Sequence, residues 1–249
     1  MSGAHAPLVE VFASFQGEGV HVGIPQVFVR FAGCDLQCGY CDTAYARAAP
    51  EQCTVFTPGG DEKRLPNPIS LQTAVEAVYE LVDADPMLKS VALTGGEPLL
   101  QADYIAELAP AVARRGLGVY LETAGHLPMQ LEQVIDHVDT VSGDIKLQET
   151  METPVAYELM AEFWTIAART EAFAKLVITD EVSLGGFKQA CAVLGASIRT
   201  VPAVLQPVTP TGQVRPPGAE MLWLLAREAE RWFSGVRVVP QCHRLMGVR

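Results

Sequence analysis

Residues 26–41 read QVFVRFAGCDLQCGYC. The first half is rich in β-branched and aromatic side chains and predicts a strand over Gln26–Ala32. The second half is a loop carrying Cys34, Cys38 and Cys41 at Cys-x3-Cys-x2-Cys spacing. Downstream, strand signals at 90–93, 118–122, 140–146, 174–179, 201–206 and 236–239 alternate with helical patterns. Those helical patterns cover 71–82, 101–114, 131–137, 154–169, 181–194 and 220–233, the first capped by Ser70. The alternation predicts a parallel sheet with helical cover. About six mostly parallel main strands fall short of a closed eight-stranded barrel. The expected fold is therefore α/β, a partial (open) TIM-like barrel. No repeat, low-complexity tract or linker divides the chain, so residues 1–249 read as a single domain. A Pro/Gly-rich excursion at 49–68 matches no motif.

A chain of 249 residues can bury a sizeable core, and 49% hydrophobic with 19% charged residues excludes disorder. Eighteen basic against 29 acidic residues leave a net charge of −11. That balance argues against nucleic acid or an anionic membrane as the main partner. No apolar run approaches the ~18 residues of a membrane span. Met1–Val11 lacks a basic segment followed by an apolar one, so no secretory signal is expected. Three of the six cysteines lie within eight residues and three are scattered. This usage fits a reduced, cytoplasmic protein with one metal site, not a disulfide scaffold.

Three thiolates on one loop can hold three corners of a [4Fe–4S] cubane and leave the fourth iron open to a small molecule. The same soft donors suit zinc, for which Cys53 is a distant fourth candidate. Other polar groups fall where strands end: Thr94-Gly95-Gly96-Glu97-Pro98, Glu122, Ser142–Lys146 and Gln206. Ligands of parallel α/β folds gather at that end. Backbone carbonyls and a carboxylate in the Thr94–Pro98 segment can accept from an ammonium, and its glycines allow close approach. Alone, the segment also reads as a plain turn. Arg30 can grip a carboxylate through two parallel bonds. It can equally be buried against Glu18 or another acid. Thr94 stands at the mouth of its strand, within reach of a substrate.

The cysteine spacing resembles the radical S-adenosylmethionine (SAM) superfamily, and Gly95–Pro98 resembles its segment for the SAM amino group. Phe15-Gln16-Gly17-Glu18-Gly19, Gly23-Ile24-Pro25 and Phe28–Cys34 resemble the 7-carboxy-7-deazaguanine synthase family. So do Cys41-Asp42-Thr43, Gln206–Pro210 and Gln241-x-His243, which extends the likeness over essentially the whole chain. The resemblance implies a carbon–nitrogen lyase. It would contract the ring of 6-carboxy-5,6,7,8-tetrahydropterin to 7-carboxy-7-deazaguanine, releasing ammonia and regenerating SAM, in 7-deazapurine (queuosine) biosynthesis.

The implied cofactors are a [4Fe–4S] cluster on Cys34, Cys38 and Cys41, SAM, and Mg²⁺ at Thr43. The alternative for Thr43 is a bond to its own loop. SAM contacts are implied for Tyr40, Gly96, Glu97, Glu122, Ser142, Lys146, Gln206, Pro207, Val208 and Thr209. Pterin contacts are implied for Phe15, Gln16, Gly17, Glu18, Arg30, Thr94 and His243. Tyr40 reads otherwise as loop packing and His243 as an exposed tail histidine. No catalytic residue is expected beyond these ligands. A reductant such as flavodoxin or ferredoxin and a homodimer belong to the same expectation. Two competing readings are a glycyl-radical enzyme activase, which shares the cysteine spacing, and a structural zinc-binding module. Cys53, Cys191 and Cys242 read as ordinary thiols.

Overall fold

Strand-forming sequence recurs through the chain, and the computed structural model describes residues 3–57 and 59–249 of it. The strands are β1 (His5–Ala6), β2 (Leu8–Phe15), β3 (Pro25–Phe31), β4 (Gln52–Phe56), β5 (Glu62–Pro66) and β6 (Ile69–Ser70). They continue as β7 (Ser90–Gly95), β8 (Gly118–Thr123), β9 (Thr140–Asp144), β10 (Glu171–Ile178), β11 (Ala203–Pro207) and β12 (Val236–Val238). The helices are α1 (Leu71–Ala84), α2 (Ala102–Ala113), α3 (Pro128–Val134), α4 (Tyr157–Ala167), α5 (Leu184–Leu194), α6 (Ala219–Ala229) and α7 (Cys242–Met246).

One sheet runs in the order β12-β11-β10-β9-β8-β7-β3-β2-β4-β5 and does not close. From β3 to β12 every neighbouring pair is parallel. The partial barrel is thus present, with seven parallel strands where about six were expected, because β12 pairs fully with β11. Two further features differ from the sequence reading. Leu8–Phe15 is a strand, antiparallel to β3. The excursion at 49–68 holds the β4–β5 hairpin, which joins β2 through β4 and widens the sheet. The turn residues of that segment masked its short strands.

Successive strand residues point to opposite faces. One face meets the helices: Val29, Leu93, Leu121, Val141, Leu176 and Leu205 belong to one large core with Val78 and Leu81 of α1. Ser70 caps α1, its hydroxyl accepting from Thr73 N at 3.2 Å. The other face carries a smaller cluster of Phe12, Phe28, Ala92, Tyr120, Phe173 and Val204. It floors the concave side of the sheet.

The chain leaves β7 through a turn that only glycine tolerates. Gly95 has φ 138°, and a Cβ there would stand 2.2 Å from Phe31 O. A Cβ on Gly96 would stand 2.1 Å from Gly33 O. The backbone strain alone costs roughly 1–3 kcal/mol for a residue with a side chain. Gly95→Ala is expected to lose at least that much stability in denaturant unfolding. An unchanged midpoint would contradict this close approach.

Candidate active site

The carboxyl ends of β3 and β7–β11 open into one cleft, walled on one side by the cysteine loop. Main-chain bonds fix that loop: Gly33 N donates to Ala46 O at 2.8 Å and Gly39 N to Thr150 O at 3.3 Å. Arg47 donates to Cys38 O at 3.0 Å. Cys34, Cys38 and Cys41 are free, half-buried and line the cleft. Burial, helped by Glu97 and Asp35, pushes the Cys34 thiol above its ordinary value. This is unlike an activated nucleophile, whose thiol is lowered. Cys53 is fully buried in the core on β4, its thiol pushed up to about 12 by burial. It does not line the cleft, so it supplies no fourth ligand there.

Gln16 ties the segment after β2 to the far strands. Its amide donates to Glu122 Oε1 at 2.7 Å and to Gln26 at 3.1 Å, and its oxygen accepts from Glu18 N at 3.0 Å. Thr94 donates to the other Glu122 oxygen at 2.6 Å. Gln16, Thr94 and Glu122 therefore form one unit on the cleft wall. Phe15, Gly17 and Glu18 flank it. Gly17 lies directly under His243, where an added Cβ would meet His243 Cβ at 2.4 Å.

Four charges, Lys146 buried and Glu18, Asp144 and Lys175 partly so, alternate along the cleft. Lys175 Nζ contacts Glu18 at 2.5 Å and Asp144 at 3.4 Å. Lys146 contacts Asp144 at 2.5 Å and donates to Tyr40 OH at 3.2 Å. Burial alone would raise the Glu18 carboxyl, but Lys175, Gln241 and His243 outweigh it and hold it at about 2. Burial works against the charge of Lys175, yet Asp144, Glu18 and Glu122 keep its pKa well above the ordinary value. Lys175 was not among the expected site residues. Its strand, Glu171–Ile178, reads EAFAKLVI and gives no sign that one lysine faces a cleft.

Arg30 lies opposite Glu10 on β2 and opposite Thr94 on β7. Its acidic partner is Glu10, at 2.8 Å through Nε, and not Glu18. Thr43 lines the cleft beside Asp42. Its hydroxyl lies 3.9 Å from Cys41 Sγ. Donor atoms of Glu18, Asp42 and His243 lie within 4.8 Å of one another. Gln241 bridges the two acids, donating to Glu18 at 3.1 Å and Asp42 at 2.9 Å.

Tyr40, Gly96, Lys146, Gln206 and Val208 also line the cleft. The side-chain oxygen of Gln206, a residue of the cleft wall, is buried without a hydrogen-bond partner among the described residues. Four expected residues do not line the cleft: Glu97, Ser142, Pro207 and Thr209. Glu97 is fully buried, its oxygens taken by Leu99 N at 2.9 Å, Thr123 at 2.8 Å and Ala124 N at 2.7 Å. Ser142 is buried against Tyr120.

An unclosed parallel barrel with three free thiols on the loop after β3 fits the radical SAM class. The Radical SAM superfamily model matches residues 28–146. A 7-carboxy-7-deazaguanine synthase of Geobacter sulfurreducens is 38% identical, covering 99% of both chains. One of Methanopyrus kandleri is 35% identical over 95% of this chain and 92% of its own. The crystal structure of QueE from Escherichia coli shares the fold, with a TM-score of 0.59 at 17% identity, covering 96% of this chain and 95% of that one. The chain belongs to the 7-carboxy-7-deazaguanine synthase family, and it is a lyase of the radical SAM superfamily. Neither a glycyl-radical activase nor a structural zinc module matches these relationships.

The Glu18 shift sets a pH window. A carboxylate with a depressed folded pKa stabilises the fold above its unfolded value, and that share fades as pH falls through the folded one. Here the window runs from 4.5 down to about 2. Glu18→Gln is expected to be less stable than wild type at neutral pH by roughly 3 kcal/mol. The gap should close on acidification across that window in thermal melts. Parallel melting curves would contradict the Glu18–Lys175 pairing.

Proposed function

We propose that this chain contracts 6-carboxy-5,6,7,8-tetrahydropterin to 7-carboxy-7-deazaguanine with release of ammonia, in 7-deazapurine (queuosine) biosynthesis. The observation that carries this reading is one cleft in which three thiols face Arg30 and the Gln16–Glu18 segment. The donor set fits the cofactors: three soft sulfurs for a [4Fe–4S] cluster, and the orphaned Gln206 oxygen for an N–H of SAM. Cys34, Cys38 and Cys41 would hold the cluster. Cluster and SAM, held there together, would supply radical hydrogen-atom chemistry toward the pterin.

The chain's own residues then bind, orient and exclude water. Lys146 pins Tyr40, leaving its ring for the adenine. Gly96 lets the backbone of the cysteine loop close onto the strand end that would meet the SAM ammonium, and Val208 offers an apolar side. Glu97 works from behind, holding the main chain at Leu99 and Ala124. Ser142, Pro207 and Thr209 support the same strand ends. Arg30 meets the pterin carboxylate, and the unit of Gln16, Thr94 and Glu122 faces the ring. Glu122, implied by sequence as a SAM contact, goes with the pterin set because both its oxygens are tied to Gln16 and Thr94. Glu18 stays ionised and accepts ring N–H groups, between Phe15, Gly17 and His243. Phe12 and Phe28 keep the floor dry.

Thr43 and Asp42 offer hard oxygens that suit Mg²⁺ beside the substrate carboxylate. Residues 1–249 act as one domain, since a single sheet carries both sides of the cleft. A flavodoxin- or ferredoxin-type reductant, a homodimer and a cytoplasmic setting complete the reading. Among the described residues no helix is long and apolar enough to cross a membrane.

Anaerobically reconstituted protein, given reductant, SAM, Mg²⁺ and carboxytetrahydropterin, is expected to form 7-carboxy-7-deazaguanine by mass spectrometry. Cys38→Ala should form none. Absence of product from the cluster-loaded wild type, or equal product from the variant, would overturn the assignment. Strict chelation of Mg²⁺ should slow turnover and its return should restore the rate. Indifference to both removes the cation from Thr43.

A further inference from the structure

We propose that Arg249 is a second ligand for the substrate carboxylate, seated by Glu10 and by Phe56 of the β4–β5 hairpin. The inference rests on the carboxypterin reading above and gives the unassigned excursion at 49–68 a task. Arg249 lines the same cleft as Arg30. Its Nη1 donates to Glu10 Oε2 at 2.8 Å, while Arg30 Nε donates to Glu10 Oε1 at 2.8 Å. Tyr45 OH adds a bond to Oε1 at 3.1 Å. One carboxylate thus stands between two guanidinium groups. Each guanidinium carries five N–H donors, and Glu10 takes one from each. The others make no hydrogen bond among the described residues, and both side chains reach the cleft. A carboxylate is the chemistry that uses these unspent donors and their fork geometry.

An exposed arginine pair is usually worth little because its side chain wanders. Here the side chain is seated. The Arg249 guanidinium carbon lies 3.8 Å from the Phe56 ring centre and 6.0 Å from that of Phe12. Phe56 meets Phe12 edge-on at 6.5 Å, and Phe12 stacks on Phe28 at 5.1 Å. Such cation–π seating orders a guanidinium. The main chain is tied as well, Ser14 Oγ donating to Arg249 O at 3.0 Å. Phe56 reaches this place because β4 runs parallel to β2, with Thr54 beside Glu10 and Val55 beside Val11.

The test is binding to the reconstituted holoenzyme, followed by pterin fluorescence. The probes are 6-carboxypterin and pterin, which differ only in the carboxylate. Wild type should prefer 6-carboxypterin. Arg249→Ala should weaken 6-carboxypterin about tenfold, the scale of one lost charge-assisted bond, and leave pterin within about twofold. Phe56→Leu should shift the same probe in the same direction by less, and Arg249→Lys should restore part of the loss. Wild-type affinity in Arg249→Ala, or equal loss of both probes, overturns the second ligand while Arg30 stands. A wild-type holoenzyme with no preference between the probes overturns the carboxypterin reading, and this inference with it.

Discussion

Two carbonyl oxygens decide how closely the cysteine loop sits against the strand beside it. Phe31 O accepts from Gly96 N at 3.1 Å and Gly33 O from Glu97 N at 2.8 Å. Any side chain at 95 or 96 would displace those oxygens. Because β3 and β7 pair in parallel, with Phe31 opposite Gly95, both chains leave the sheet at one level. The carboxylate of Glu97 then turns inward and binds Thr123 and Ala124 at the end of β8. Three strand ends are thereby held as one rigid frame. A site that works by placing groups needs such a frame before the ligand arrives.

The buried charges extend that frame to the other side of the cleft. Burying Glu18, Lys175, Asp144 and Lys146 costs several kcal/mol per ion unless each is paired. Alternating signs satisfy that condition, and the geometry they impose matters more than any stability they add. Lys175 fixes Glu18 from below while Gln241 fixes it from above. Lys146 fixes Tyr40 in the same way. Glu18 and Tyr40, on the two sides of the cleft, are thus linked through Asp144. A change at any one of them is felt by the others.

Much of this was legible from local patterns. Strand–helix alternation sufficed for the parallel sheet, and the strand-end polar groups sufficed for the place of the cleft. Three kinds of feature were hidden. Lys175 enters the cleft through pairing across the sheet, and Arg249 through its contacts with Glu10, Phe56 and Ser14, neither of which linear spacing carries. The β4–β5 hairpin was masked by its turn residues, although Cys53, Val55 and Leu65 alternate inward. Glu97 belongs to a motif that resembles a ligand-binding segment, yet its direction depends on where the end of β8 lies. Motifs name the segment that matters, and packing decides which atom of it faces the ligand.

Cys34, Cys38 and Cys41 would hold three irons of a cubane and leave the fourth to SAM. Electron paramagnetic resonance of the reduced, reconstituted protein tests this most directly, recorded with and without SAM. The expected result is a [4Fe–4S] signal whose g-values shift when SAM is added. A protein that binds zinc in place of iron, or a cluster signal indifferent to SAM, would contradict it.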